Sequence, residues 1–177
     1  MVMNTLYRLY PMLVGFLLGL LQTGLFFQLT FTLSSGFGTY LLVILCWLAG
    51  SALGVFYIAR AVRLPLQTFL VLALLGYALC GLLLAAAPFE TGLWPLYAAL
   101  IMLTALYPGV FFARMAPIFR ARVLFLMENT GFILGLVFGT IAFMLLGRLA
   151  LWVAPLMIEG MIAFMREPGS AQSPAIP

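Results

Sequence analysis

The chain has 177 residues, of which 66% are hydrophobic and only 7% charged, and its net charge of +4 comes from eight arginines against four glutamates. Roughly a quarter of a typical soluble chain is charged, so a soluble globular domain is excluded and lipid must solvate much of the surface. Lysine, aspartate and histidine are absent. That removes the commonest ligands of haem and transition metals and any histidine-based acid–base chemistry, and no cofactor or metal is expected.

Six apolar spans are expected in chain order, each measured against the about 20 residues a helix needs to cross the hydrocarbon core. Pro11–Thr32 carries Gly15-x-x-x-Gly19 and two amides, Gln22 and Gln28, suited to hydrogen bonds with a neighbouring helix. Gly38–Ile58 follows after Ser34-Ser35-Gly36 and carries Gly50-x-x-x-Gly54. Leu66–Ala87 holds Cys80 as the second span holds Cys46; neither has a CxxC neighbour, so both read as small buried hydrophobes. Leu93–Phe112 contains Pro108-Gly109, where proline removes a backbone donor and is expected to bend the helix.

Val123–Leu146 is the most informative span. Glu128 lies inside it, six residues beyond Arg122, hence about 9 Å along a helix rising 1.5 Å per residue. It shares a helical face with Gly131, Gly135 and Gly139, and Asn129 and Thr130 add hydrogen-bonding groups beside it. A charge at that depth is costly unless paired or protonated. Pairing with an arginine such as Arg114 is one reading; a proton or cation pathway is the other. The last span, Leu149–Phe164, is short and interrupted by Pro155, with Glu159 four residues further on, near the carbonyls that proline disturbs.

With six spans, one side of the membrane receives Arg8, Arg60, Arg63, Arg114, Arg120, Arg122 and Arg166, and the other only Arg148. That bias places both termini in the cytoplasm, in a cell inner membrane. It also explains the positive charge without a nucleic-acid partner. Between Arg114 and Arg122 the arginines alternate with apolar residues, so Arg114, Arg120 and Arg122 are expected to meet anionic lipid headgroups or an acidic partner surface. The N-terminal run is too long for a cleaved signal peptide and lacks its small-residue cleavage site. The six-helix domain is expected over 1–166, with a disordered or partner-docked tail over 167–177.

Small residues let helices approach in lipid, so the Gly-x-x-x-Gly runs mark packing seams, either within the bundle or against another chain. An offset of about 85 residues carries Gly50, Gly54 and Arg63 onto Gly135, Gly139 and Arg148. Two such three-span halves would be inverted with respect to one another, as in many transporters.

Leu21-Gln-Thr-Gly-Leu-Phe-Phe27, Gly36-Phe-Gly-Thr-Tyr40, Leu48-Ala-Gly-Ser-Ala-Leu-Gly54 and Arg60 resemble the first two spans of membrane-embedded spermidine synthase-like proteins. Pro108-Gly109 to Phe112 is similar to that family's fourth span. Arg122 to Gly139 is similar to its run of arginine, acidic residue and Gly-x-x-x-Gly, with Glu128 where the family commonly carries aspartate. The resemblance implies the membrane fold. It does not bring aminopropyl transfer, because this sequence has no Gly-rich cofactor loop and no soluble synthase domain.

The expected fold is thus an all-α polytopic membrane bundle. The first functional expectation is a non-catalytic accessory or scaffold subunit that anchors or orients other membrane proteins. The alternative is a small proton- or cation-coupled transporter for a cationic or amphipathic solute, working as a dimer. The missing histidine, aspartate and lysine, with no nucleophile–base constellation, argue against an enzyme.

Overall fold

The computed structural model describes residues 5–33 and 36–165. The expected linker serines Ser34 and Ser35, Arg166 and the tail from Glu167 lie outside them. Among the described residues the chain is all helical. α1 spans Thr5–Thr32. α2 runs from Phe37–Leu53 through a π turn at Gly54–Ile58 to Ala61. α3 is Leu66–Ala86, α4 Trp94–Met115, α5 Ala121–Leu146 and α6 Arg148–Phe164. The first five are long and apolar enough to cross a membrane; α6 has only 17 residues and contains Pro155. The spans read from hydropathy agree with the helices to within a few residues, with one correction: Pro11 lies inside α1 and does not begin it.

The turns follow from local chemistry. Val62 leaves the α2 helix in an extended conformation, and Pro65 opens α3. Phe89 adopts φ 63° in the short α3–α4 link, and its N–H donates to the carbonyl of Thr32 at the end of α1. Gly147 joins α5 directly to α6 at φ 64°, ψ −147°, a conformation that side chains other than hydrogen rarely permit.

α1 is the central helix. Val14, Leu17, Leu21, Leu25 and Leu29 are fully enclosed, and α2, α3, α5 and α6 all pack on it. Two seams dominate. In the first, α1 lies on α5: a Cβ at Gly15 would meet the Glu128 carbonyl, one at Gly19 the Phe132 carbonyl, one at Gly131 the Met12 carbonyl, and one at Gly135 the Phe16 carbonyl. In the second, α2 lies on α4: a Cβ at Gly50 would meet the Met102 carbonyl, one at Gly54 the Leu106 carbonyl, and one at Gly109 the Ser51 carbonyl. Both seams close inside this chain. Any side chain there would push one backbone off another, which is why glycine occupies these positions.

The seams correspond. Gly50 and Gly54 face Met102, Ala105, Leu106 and Gly109; Gly135 and Gly139 face Phe16, Gly19, Leu20 and Thr23. An offset of 85 carries the first glycine pair onto the second, and one of 86 carries the four α1 neighbours onto the four α4 neighbours. The exchange maps α2 on α5 and α1 on α4, as a two-fold relation between three-helix halves requires. The α3–α4 and α1–α6 packings form a second matching pair.

Candidate functional site

α2 and α5 are held by α4 and α1 respectively and pack on those helices rather than extensively on one another. A crevice remains between them, and α1 and α4 form its floor. Its main chamber has a volume of about 440 Å³ and is lined by Gln22 of α1, Trp47 and Ser51 of α2, Pro108 and Phe112 of α4, and Glu128 and Asn129 of α5, among others. A second chamber of about 380 Å³ shares Gln22, Ile44 and Phe132 with the first and continues to Phe27, Tyr40 and Thr140.

Among the described residues, Glu128 is the only acidic or basic residue in either lining. It is 7% exposed. Among the described residues its carboxylate has neither a hydrogen-bond nor an ion-pair partner. The first seam fixes its position: Gly15 allows α1 to approach the Glu128 backbone directly. Thr23, 6% exposed and lining the second chamber, also has an unpartnered hydroxyl.

The arginine pairing considered for Glu128 is not formed. Arg114 donates instead to the carbonyls of Leu64 and, at 3.1 Å, Val62, and its guanidinium lies 5.4 Å from the Phe69 ring centre. Its reach is taken up in clamping the α2–α3 link to α4, because the extended residues there offer carbonyls that no helix satisfies. Arg120 and Arg122 are exposed.

The remaining polar residues separate. Thr130 does not reach another helix; its hydroxyl donates to Leu126 of its own helix at 2.7 Å. Asn129 is exposed along the crevice, and Gln22 is half-buried between the two chambers. Gln28 lies elsewhere. Its amide donates to the Tyr77 hydroxyl at 2.9 Å, and Tyr77 donates to the Leu151 carbonyl at 2.7 Å. Leu151 is four residues before Pro155, which has no N–H to give it. Tyr77 thus satisfies the carbonyl that the proline frees, tying α1, α3 and α6 together. Glu159 is half-buried on α6 and lines neither chamber.

Sequence reasoning missed Trp47, Ile44 and Tyr77. Ser51 stood only as part of the Leu48–Gly54 run. The π turn at Gly54–Ile58, beside the main chamber, also had no signal; such turns recur at functional sites.

Fold and crevice define a helical protein with five helices fit to cross a membrane and a largely apolar chamber around one buried carboxylate. Comparison with protein-family models, with curated proteins and with solved structures finds no match.

Proposed function

We propose that this is a six-span inner-membrane protein with both termini in the cytoplasm, and that it carries a cationic or amphipathic solute in exchange for a proton through the α2–α5 crevice. The observation that carries the reading is Glu128: more than nine-tenths buried, unpartnered, and lining a chamber of about 440 Å³. An ionised carboxylate at that depth is costly without a counter-charge. Protonated at rest, Glu128 accepts a cation as its proton leaves, so that the crevice holds no net charge in either state.

Two further features support the reading. Transporter sites lie between internal repeats, and all four helices that line the main chamber belong to the two matched seams. The seven-to-one arginine asymmetry supports the topology, with α6 tilting little to span on 17 residues. The kinship with the membrane region of spermidine synthase-like proteins is proposed on its sequence runs alone.

The test is uptake of radiolabelled tetramethylammonium into liposomes holding the protein, driven by an outward proton gradient. Uptake above empty liposomes is expected, falling to their level in Glu128→Gln. Undiminished flux in that variant would remove Glu128 from the mechanism, and no flux in the unaltered protein would remove the carrier.

A second reading, the accessory subunit, also draws on the crevice: because α2 and α5 do not close on one another, a partner's transmembrane helix could lie between them and bring a basic group to Glu128. The glycine seams no longer support it, since they close within the chain. Purification in mild detergent with native mass measurement separates the two. A stoichiometric second polypeptide, lost on Glu128→Gln, favours the subunit.

A further inference from the structure

The two chambers differ in chemistry. The first gathers Glu128, Gln22, Ser51 and Asn129 with the rings of Trp47 and Phe112. The second, about 380 Å³, has no charged lining residue among those described; Phe26, Phe27, Val43 and Leu136 form its apolar walls, with Thr23, Tyr40 and Thr140 between them. They join at Gln22, Ile44 and Phe132. From Glu128 to Thr140 the groove follows twelve residues of α5, about 18 Å at 1.5 Å per residue. One end suits a positive charge and the other hydrocarbon.

Resting on the carrier reading, we infer that the ligand is an amphipathic monocation. Its ammonium head pairs with Glu128, and its single hydrocarbon tail lies in the second chamber. Three features of the first chamber suit the head. The carboxylate supplies the counter-charge. Aromatic faces attract cations, best of all those with a weakly hydrated, alkylated ammonium. Among the described residues no arginine lines either chamber to repel the head or compete for Glu128. The tail gains little by leaving lipid for an apolar groove; its value is selectivity, since it sets the head's depth and orientation.

The experiment measures binding of radiolabelled tetramethylammonium and dodecyltrimethylammonium to the protein in lipid nanodiscs, with empty nanodiscs subtracted. The long-chain cation is expected to bind at least tenfold more tightly, dodecanol not to displace it, and Glu128→Gln to lose both cations. Partition into the bilayer alone would also favour the long chain, so the deciding variant is Thr140→Phe, which fills the second chamber. Thr140 bonds only to Leu136 of its own helix. Its substitution is expected to bring the ratio of the two affinities down about tenfold. An unchanged ratio, or equal binding of both cations to the unaltered protein, overturns the inference and leaves the carrier standing. Binding of neither cation overturns the carrier as well.

Discussion

The two halves of this molecule are built alike and equipped differently. Their seams match neighbour for neighbour, with Gly50 and Gly54 on α4 answering Gly135 and Gly139 on α1. Yet the offset that aligns the glycines sets Val43 against Glu128 and Ile44 against Asn129. Val43 is buried to 1% exposure and Glu128 to 7%. A valine therefore serves the packing at this position, and the carboxylate answers a need that packing does not impose. The same offset sets Ile162 against Tyr77, so the hydrogen-bond node of α3 also belongs to one half alone.

The largest effects test the likeness. Gly135→Leu and Gly50→Leu each drive a side chain into the backbone of the opposing helix. Overpacking typically costs about 1–3 kcal/mol even where side chains can yield, and here a backbone must move. Both variants are expected to lose most of the monodisperse protein on size-exclusion chromatography, and by similar fractions. If Gly50→Leu is tolerated while Gly135→Leu is not, the halves do not carry equal weight.

The next pair tests the difference. Glu128→Val copies the other half's residue and should fold with an unchanged or higher thermal midpoint, since an unpartnered polar group at depth is removed. Val43→Glu makes the reverse change at the wall of the second chamber, which has no charged lining residue, and should cost about 2.5–3.5 kcal/mol, the order found for a charge at a membrane helix centre. Thermal unfolding in one detergent compares them. A strongly destabilised Glu128→Val would show that the carboxylate is structural after all.

Tyr77→Phe follows in size. It strips the hydroxyl that accepts from Gln28 and donates to Leu151, leaving the carbonyl freed by Pro155 with no donor. Interhelical hydrogen bonds in membranes average about 0.6 kcal/mol and reach about 1.7. The upper part of that range is expected, because no helical N–H can replace the lost donor. An unaltered unfolding midpoint would show that the α6 proline is tolerated without this bond.

Much of this architecture is legible in the sequence, and what is legible is what lipid imposes. Span length, apolarity and Gly-x-x-x-Gly spacing are one-dimensional properties, and they place the helices and both seams. Pairing is not one-dimensional. Arg114 and Glu128 look like partners because both are charges near one end of adjacent spans, but the guanidinium finds two carbonyls of the α2–α3 link much nearer to hand. Thr130 looks like an interhelical donor until its face is known; being exposed, it turns back on Leu126. The crevice itself depends on α2 and α5 failing to close on one another, and nothing in either helix alone announces that. Trp47 and Ile44 acquire a role only once that gap exists.

The smallest effect, expected at Gly139, gives the sharpest test of the two-fold relation when set beside Gly54, because there the matched positions are not equal. At Gly54 a Cβ would stand 2.5 Å from the Leu106 carbonyl oxygen and 3.0 Å from the Gly109 backbone. At Gly139 it would meet only side-chain atoms, Leu20 Cδ2 at 3.3 Å and Thr23 Cγ2 at 3.4 Å. Rotation or a slight shift of a side chain accommodates the second, and nothing but separation of α2 from α4 accommodates the first. Gly54→Ala is thus expected to destabilise by about 1–3 kcal/mol, and Gly139→Ala to stay within about 0.5 kcal/mol of the unaltered protein, read as paired shifts in unfolding midpoint. Equal shifts would mean that the α1–α5 seam is as tight at Gly139 as at Gly135. Unequal shifts in the expected sense would mean that this seam loosens toward the second chamber, where Thr23 leaves the tight packing to line the groove. The duplicated scaffold then departs from symmetry at the same end of the groove that the proposed tail would occupy.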